Sequence, residues 1–330
     1  MKYYGGIDLG GTKIYSIVID ERGTILSREK VKTNQENGLE PVIDKIIECY
    51  KNAVKNASLQ EKDIEAIGMA VPSAVDVNKG ILLYAPNLGW KNLELSKIMY
   101  EKLRKPFFID NDVNMGVFGE YSLGVGRNYK HIYGMFVGTG IGGGYVVDGK
   151  IMRGVNHTAG EVGHMIVKLG GPQCNCGRRG CLEAIAGKVG IINYMKKLVD
   201  KKGEKTMLNE ISPDWRRSVG SSALNKCFVK NDKVVVRALT RSATAIGIAA
   251  ANLINLIGIE AIILGGGLIE EIGDLLIPII KEYMVNYSIA DGAKGIPLLK
   301  SILGDDAVAL GAAWHCVLPE NNKYLYTGSN

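Results

Sequence analysis

Apolar and polar positions divide the chain into short strands and helices that recur in a set order. Residues 3–9 form an apolar run that ends at Gly10-Gly11. A second run covers 13–19, and the turn Asp20-Glu21-Arg22-Gly23 leads to a third at about 24–31. This predicts a β-meander, not a strand-to-helix unit. Leu39, Val42, Ile43, Ile46, Ile47, Tyr50 and Val54 then recur at helical spacing. A strand over 64–70 before Pro72 and a helix over 93–103 follow. The short strand Phe107-Phe108-Ile109, ending at Asp110-Asn111-Asp112, completes the first part.

The order then restarts. An apolar run over 132–137, a loop from Gly138 to Gly144, the strand Tyr145-Val146-Val147 and the turn Asp148-Gly149 repeat the opening at an offset of about 128 residues. Such self-similarity predicts a duplicated two-domain α/β fold. A strongly apolar helix over 246–257 comes next, then a buried strand at 261–264 with its loop Gly265-Gly266-Gly267. The last helix starts near Asp305-Asp306, and the polar tail after Pro319 is expected to fray.

Composition narrows the picture. With 330 residues, 46% of them hydrophobic, the chain can build two cores. The net charge of +6 comes without a long Lys/Arg run, so a nucleic-acid surface has no support. Asp8 interrupts the N-terminal residues and no cleavage-like site follows, so they do not read as a signal peptide. No apolar stretch reaches 18 residues without polar interruption, and no membrane span is expected. Cys174, Cys176 and Cys181 crowd together while Cys49, Cys227 and Cys316 are scattered. That reads as one metal cluster in a reducing, cytoplasmic compartment rather than a disulfide framework.

Candidate chemistry lies in the glycine loops and the cysteine cluster. Successive N–H groups in a glycine loop converge on an anion. Asp8, just before Gly10 and Gly11, would repel phosphate unless a divalent cation lay between them, so it suits Mg²⁺. Thr12 and Lys13 suit phosphate itself. Each loop also reads as a plain hairpin turn. Residues 138–143 match G-x-G-x-x-G, but a strand follows where a dinucleotide fold needs a helix, so that fingerprint is rejected. No G-x-x-x-x-G-K-[ST] occurs, which excludes a P-loop. His164 with Cys174, Cys176 and Cys181 offers four ligands, enough for a closed, structural tetrahedral zinc shell. The alternative is three buried thiols and a turn histidine. For His131, His157 and His315, packing or surface roles are expected.

Several segments together resemble the ROK family of bacterial sugar kinases and sugar-responsive repressors, its glucokinase branch above all. They are Asp8-Leu9-Gly10-Gly11-Thr12-Lys13, Asp110-Asn111-Asp112-Val113-Asn114 and the loop from Gly138 to Gly144. Ala159-Gly160-Glu161-Val162-Gly163-His164, followed by Cys174-Asn175-Cys176-Gly177-Arg178-Arg179-Gly180-Cys181-Leu182-Glu183, and Gly265-Gly266-Gly267 complete the match. The resemblance implies the actin/hexokinase-type fold, two ribonuclease-H-like domains flanking a cleft. Residues 1–118 plus 302–330 would form the small domain and 119–301 the large one.

By the same resemblance Asp112 is the catalytic base, and Asn87, Asn111, Glu161, His164 and Glu183 contact the sugar, His164 also binding zinc. Gly10, Gly11, Thr12, Lys13, Gly138, Thr139, Gly140, Gly265, Gly266 and Gly267 face ATP, with Asp8 toward Mg²⁺. Read from the residues alone, Asn111 also suits a turn cap, and Glu161 or Glu183 a solvent-facing position. The implied reaction converts ATP and a hexose, glucose first, to ADP and the hexose 6-phosphate. Fructose, N-acetylmannosamine and other hexoses remain alternatives, and a homodimer or tetramer is implied. Family repressors carry an added N-terminal helix-turn-helix domain, for which a first phosphate motif at Asp8 leaves no room. The sequence departs from the family at Val71-Pro72-Ser73-Ala74-Val75, where many relatives are Gly-Pro-Gly-like, and at Ala186, where serine is common.

Overall fold

The computed structural model describes residues 1–34, 36 and 38–328. The chain opens with β1 (Tyr3–Leu9), β2 (Lys13–Asp20), β3 (Ile25–Lys32), α1 (Leu39–Asn56) and β4 (Ile64–Val71). It continues through β5 (Ala74–Asp76), β6 (Ile81–Ala85), β7 (Trp90–Leu93), α2 (Leu95–Leu103), β8 (Phe107–Asn111) and α3 (Asp112–Ser122). Then come β9 (His131–Val137), β10 (Ile141–Val147), β11 (Lys150–Ile151), α4 (Leu182–Ala186), α5 (Lys188–Lys202), α6 (Leu208–Ile211) and α7 (Ser221–Val229). The last elements are α8 (Lys233–Ile257), β12 (Ala261–Gly265), α9 (Gly267–Tyr287), β13 (Leu298–Lys300) and α10 (Ala307–Val317). They divide into two compact units. One holds Met1–Arg127, Gly149–Ala159 and Asp305–Asn330, the other Asn128–Asp148 and Gly160–Gly304.

In the first unit the sheet order is β3-β2-β1-β4-β8, antiparallel through the meander and parallel from β1 to β8. One face takes α1, whose buried Val42, Ile43, Ile46, Tyr50 and Val54 are the periodic apolar residues of the sequence. The other takes α10, which lies flush because Gly6 and Gly68 have no side chain. A Cβ at either would run into the carbonyl oxygen of Ala309 or Ala312. The predicted elements hold, with helix starts moved inward: α2 begins at Leu95, and Asp305 and Asp306 lie in a 3-10 turn before α10.

One expectation fails. As far as residue 328 the tail after Pro319 does not fray, and its last two residues lie outside those described. It forms a 3-10 stretch, Pro319–Tyr324, and Tyr326 then exchanges both backbone hydrogen bonds with Phe107, at 3.0 and 2.9 Å. β8 is the edge of its sheet, and an open edge is a row of unpaired donors and acceptors. Tail polarity concealed this docking, which rests on backbone pairing and on two tyrosines. Tyr326 meets Tyr100 edge to face at 5.5 Å.

In the second unit β10, β9, β12 and β13 lie side by side, β9 and β10 antiparallel and the others parallel. The duplication is plain in the strand ends. Tyr3 and His131, Leu9 and Val137, and Lys13 and Ile141 are all 128 residues apart. Here the structure shortens the expected loop, because Gly142, Gly143 and Gly144 pair with β9 and only residues 138–140 turn. It also lengthens the apolar helix, which begins at Lys233 rather than near Ile246. The β-branched run Val234-Val235-Val236 disguised that first turn. Asp232 sets the start by accepting from the Val234 and Val235 N–H groups, both at 3.0 Å. By length and composition α8 passes as a membrane span, but its most apolar window is 67% buried within the protein, as befits a core helix.

Candidate functional site

In the first unit the phosphate-type loop is a closed turn. The Gly10 N–H donates to the Lys13 carbonyl at 2.9 Å, and the Thr33 hydroxyl donates to the Gly10 carbonyl at 2.7 Å. Asp8 sits at the end of β1 beside this turn. Burial, and after it the charge of Asp112, push its pKa up to about 7, against the pull of Lys13 and Lys30. Two carboxylates that oppose each other's ionisation beside a glycine loop are a donor set suited to a divalent cation.

Asp112 opens α3, and its Oδ1 accepts from the Val113 N–H at 2.9 Å. Asn111 is the N-cap. Its Oδ1 accepts from the Asn114 N–H at 3.0 Å and its amide donates to the Ser73 carbonyl at 3.2 Å. The capping role is therefore real, and it fixes the side chain that the resemblance assigns to the sugar. Ser73 accounts for the first sequence departure: its hydroxyl donates to the Tyr84 carbonyl at 2.7 Å and accepts from the Tyr84 N–H at 3.1 Å, joining β5 to β6. Asn87 is exposed in the turn between β6 and β7, where Leu88 N–H bonds back to the Ala85 carbonyl at 3.0 Å.

In the second unit the turn at residues 138–140 is held from three sides. Gly138 N–H donates to the Gly140 carbonyl at 2.9 Å. The Lys188 N–H at the start of α5 donates to the Gly138 carbonyl at 3.1 Å, and Glu183 Oε2 accepts from the Ile141 N–H at 3.1 Å. Gly265 ends β12, Gly266 takes φ +83° as the cap, and Gly267 begins the 21-residue α9. That loop is thus the positive end of a long helix, a natural anion site. Ala186, the second departure, is fully buried, and its carbonyl accepts from the Ser242 hydroxyl at 2.9 Å.

Glu161 and His164 lie on one tight turn, closed by His164 N–H to the Glu161 carbonyl at 3.0 Å. This turn rests on β10, where a Cβ at Gly163 would strike the Ile141 carbonyl, and Tyr133 Oη holds it by donating to the Gly160 carbonyl at 2.8 Å. Glu161 is exposed to solvent. Partial desolvation, with the charge of Glu183 behind it, nonetheless raises its pKa, and His164 pulls it back.

The four metal-type residues do converge. One ligand atom from each of His164, Cys174, Cys176 and Cys181 lies within 4.8 Å of every other. His164 Nδ1 is 3.8 Å from Cys174 Sγ, and Cys176 Sγ is 3.6 Å from Cys181 Sγ. A tetrahedral zinc with bonds of about 2.3 Å to sulfur requires ligand separations of about 3.8 Å, so the set can hold the ion. The loop makes this possible through Gly177 and Gly180, both at positive φ. The Arg178 backbone N–H pulls the Cys176 thiol down to about 7, while burial pushes Cys181 up to about 12.

Sequence reasoning missed one buried pair. Arg153 donates through Nε and Nη2 to Asp110 Oδ2 at 2.8 and 2.6 Å. Asp110 directly precedes the Asn111-Asp112 pair, but nothing in the pattern marked Arg153, 43 residues on. His315 takes the packing role expected of it. His315 is buried against Phe108, stacked at 3.8 Å, and burial holds its pKa well below the usual imidazole range.

The profile of the ROK family matches residues 4–317. The glucokinase of Halalkalibacterium halodurans is 30% identical over 97% of both chains. The xylose repressor of Caldicellulosiruptor bescii is 30% identical over 93% of this chain and 76% of its own length. Among solved structures, a ROK family glucokinase from Streptomyces griseus in complex with glucose and AMPPNP has 29% identity and a TM-score of 0.79. That likeness covers 94% of this chain and 98% of the other. With the duplicated hairpins, the glycine loops and the His/Cys cluster in place, the chain belongs to the ROK family and has its actin-like ATPase fold.

Proposed function

We propose that the protein is an ATP-dependent hexokinase of the glucokinase type. The observation that carries this reading is the grouping, in one unit, of Asp112 and Asn111 at the start of α3 with Asp8 and the first glycine loop. A proton acceptor and a phosphate-and-cation surface are the two requirements of phosphoryl transfer to an alcohol. The glucokinase relative and the glucose complex of the Streptomyces griseus enzyme support glucose as acceptor and ATP as donor.

In this reading Asp112 takes the proton of the 6-hydroxyl as its oxygen attacks the γ-phosphorus, and the γ-to-β bridging oxygen leaves with ADP. Asn111, locked by its cap bonds, and Asn87 would orient ring hydroxyls, and for Glu161, His164 and Glu183 a sugar-contact role rests on the family resemblance. The glycine loops at 10–12 in the first unit, and at 138–140 and 265–267 in the second, each offer backbone N–H groups suited to phosphate oxygens. Mg²⁺, held by Asp8, would neutralise charge on the phosphates. Zinc, held by Nδ1 of His164 and the three cysteines, would be structural. It leaves Nε2 as a donor of fixed direction for a sugar hydroxyl. A cytoplasmic location and a homodimer belong to the same reading, and sedimentation tests the latter.

The likeness to a xylose repressor favours one second reading, a sugar-responsive regulator. One experiment separates them: ADP release across a panel of hexoses and amino sugars. Glucose is expected to give the highest kcat/KM. Another preferred sugar would refute glucose alone, and sugar binding without ADP release would refute the kinase.

A further inference from the structure

The ion pair between Arg153 and Asp110 adjoins the Asn111-Asp112 pair, which Asp110 immediately precedes. Asp110 is 2% exposed at its side chain and Arg153 12%. Both Arg153 donors converge on Oδ2 of Asp110. The other oxygen, Oδ1, accepts from the Asn111 N–H at 2.7 Å and from the Asn114 side-chain amide at 3.4 Å. One carboxylate therefore binds the residue before Asp112 and a residue of the first helical turn after it. Fixing the plane of that carboxylate fixes the entry into α3.

What holds Arg153 in turn comes from an unexpected part of the chain. Its guanidinium lies over the ring of Tyr324, 5.3 Å from the centroid. Tyr324 also packs on His315, at 5.8 Å between ring centroids, and His315 stacks on Phe108 of β8. Two residues beyond Tyr324, Tyr326 pairs with Phe107 at the start of β8. The family match ends at residue 317, so this covering segment lies outside it.

We propose that Arg153 is a positioning residue for Asp112, acting through the Asp110 carboxylate, and that Tyr324 holds Arg153 in its working orientation. The proposal rests on the reading of Asp112 as the base. An arginine fork on a buried carboxylate has one good geometry, whereas a solvated pair has many. The tail ring excludes water from one guanidinium face and restricts its rotation. The second unit needs no part in this device.

The test uses the full chain with Arg153→Met, the double variant Arg153→Met with Asp110→Asn, Tyr324→Leu and Tyr324→Phe. The double variant removes both buried charges yet keeps an acceptor for the Asn111 N–H, which guards against a misfolded single mutant. Measurements are kcat, KM for glucose and for ATP, the thermal midpoint, and hydrogen exchange of the amides at 110–114. A misplaced base costs on the order of 100-fold for a displacement near 1 Å. Both Arg153 variants should lose about 10- to 100-fold in kcat, with each KM within about threefold. Tyr324→Leu should lose less in kcat, and Tyr324→Phe should match wild type. Exchange at 110–114 should quicken in the Arg153 and Tyr324→Leu variants. Wild-type kcat in Tyr324→Leu and in the double variant, or losses that follow the thermal midpoint alone, would overturn the proposal. If the wild type phosphorylates no hexose yet exchange at 110–114 responds as expected, the kinase reading fails and the clamp stands.

Discussion

The hairpin of β1 and β2 and the hairpin of β9 and β10 align at an offset of 128 residues, yet Asp8 in the first is matched by Phe136 in the second, and Lys13 by Ile141. The first hairpin is a charged device. Asp8 stands beside Lys13, and Asp305 bridges Lys13 and Lys30 at 3.4 and 3.1 Å. In the second, the Phe136 ring packs beside Gly265, and two backbone segments, the start of α5 and the start of α9, lie against the turn at 138–140 and the end of β9. One duplicated backbone thus presents charged side chains in one copy and backbone N–H groups in the other. An acid at 136 would face its loop with no lysine at 141 to offset it.

The comparison predicts that chemistry concentrates in the first unit, and Asp112→Asn is its most severe test. A general base contributes about 10² to 10⁴-fold, so kcat should fall by that factor while glucose affinity, read by calorimetry, stays near wild type. Near-full kcat with normal glucose binding would remove Asp112 from the base role and leave the first unit without one.

The second unit should instead govern sugar affinity. Cys176→Ala should release zinc, measured by atomic absorption, and raise the glucose KM roughly tenfold, with ATP KM within about twofold to threefold. The thermal midpoint of the same preparation separates lost orientation from lost fold. Unchanged glucose KM after zinc loss would mean that His164 does not face the sugar.

A smaller effect isolates the acid that distinguishes the first hairpin. With the Asp8 carboxyl pushed up to about 7, Mg²⁺ held there would displace a proton below that pH. Apparent Mg²⁺ affinity of the wild type should weaken about tenfold per pH unit below 7 and level off above it. Asp8→Asn should bind Mg²⁺ more weakly and lose that slope. A slope retained in the variant would place the titrating group elsewhere.

The least effect is on stability, with a definite sign. Because the folded-state pKa of Asp8 is raised from the ordinary 3.8 to about 7, the folded protein holds a proton that the unfolded chain has released between those values. Stability from this group therefore falls as pH rises from about 4 to 7. In Mg²⁺-free buffer Asp8→Asn should raise the thermal midpoint at pH 8 and leave it unchanged near pH 4. Equal gains at both pH values would disconnect the effect from titration.

Much of this molecule is local and was therefore readable from sequence alone. The meander, the apolar face of α1, the glycine turns and the Cys174-Cys176-Cys181 spacing each depend on residues a few positions apart. Backbone sterics and side-chain periodicity act at that range. The duplication was also readable, because two copies of one local pattern recur at one offset. The sequence by itself thus determined the meander, the repeated hairpin, the places of the glycine turns and the four His/Cys positions that converge. Only the tertiary structure decided which way those groups are held. Arg153 finds Asp110 across 43 residues, Tyr326 finds Phe107 across more than 200, and neither contact has a period or a motif. Their partners were chosen by burial, since a carboxylate and an open strand edge withdrawn from water must be paired. Such a requirement has no address in the chain until the fold has closed around it.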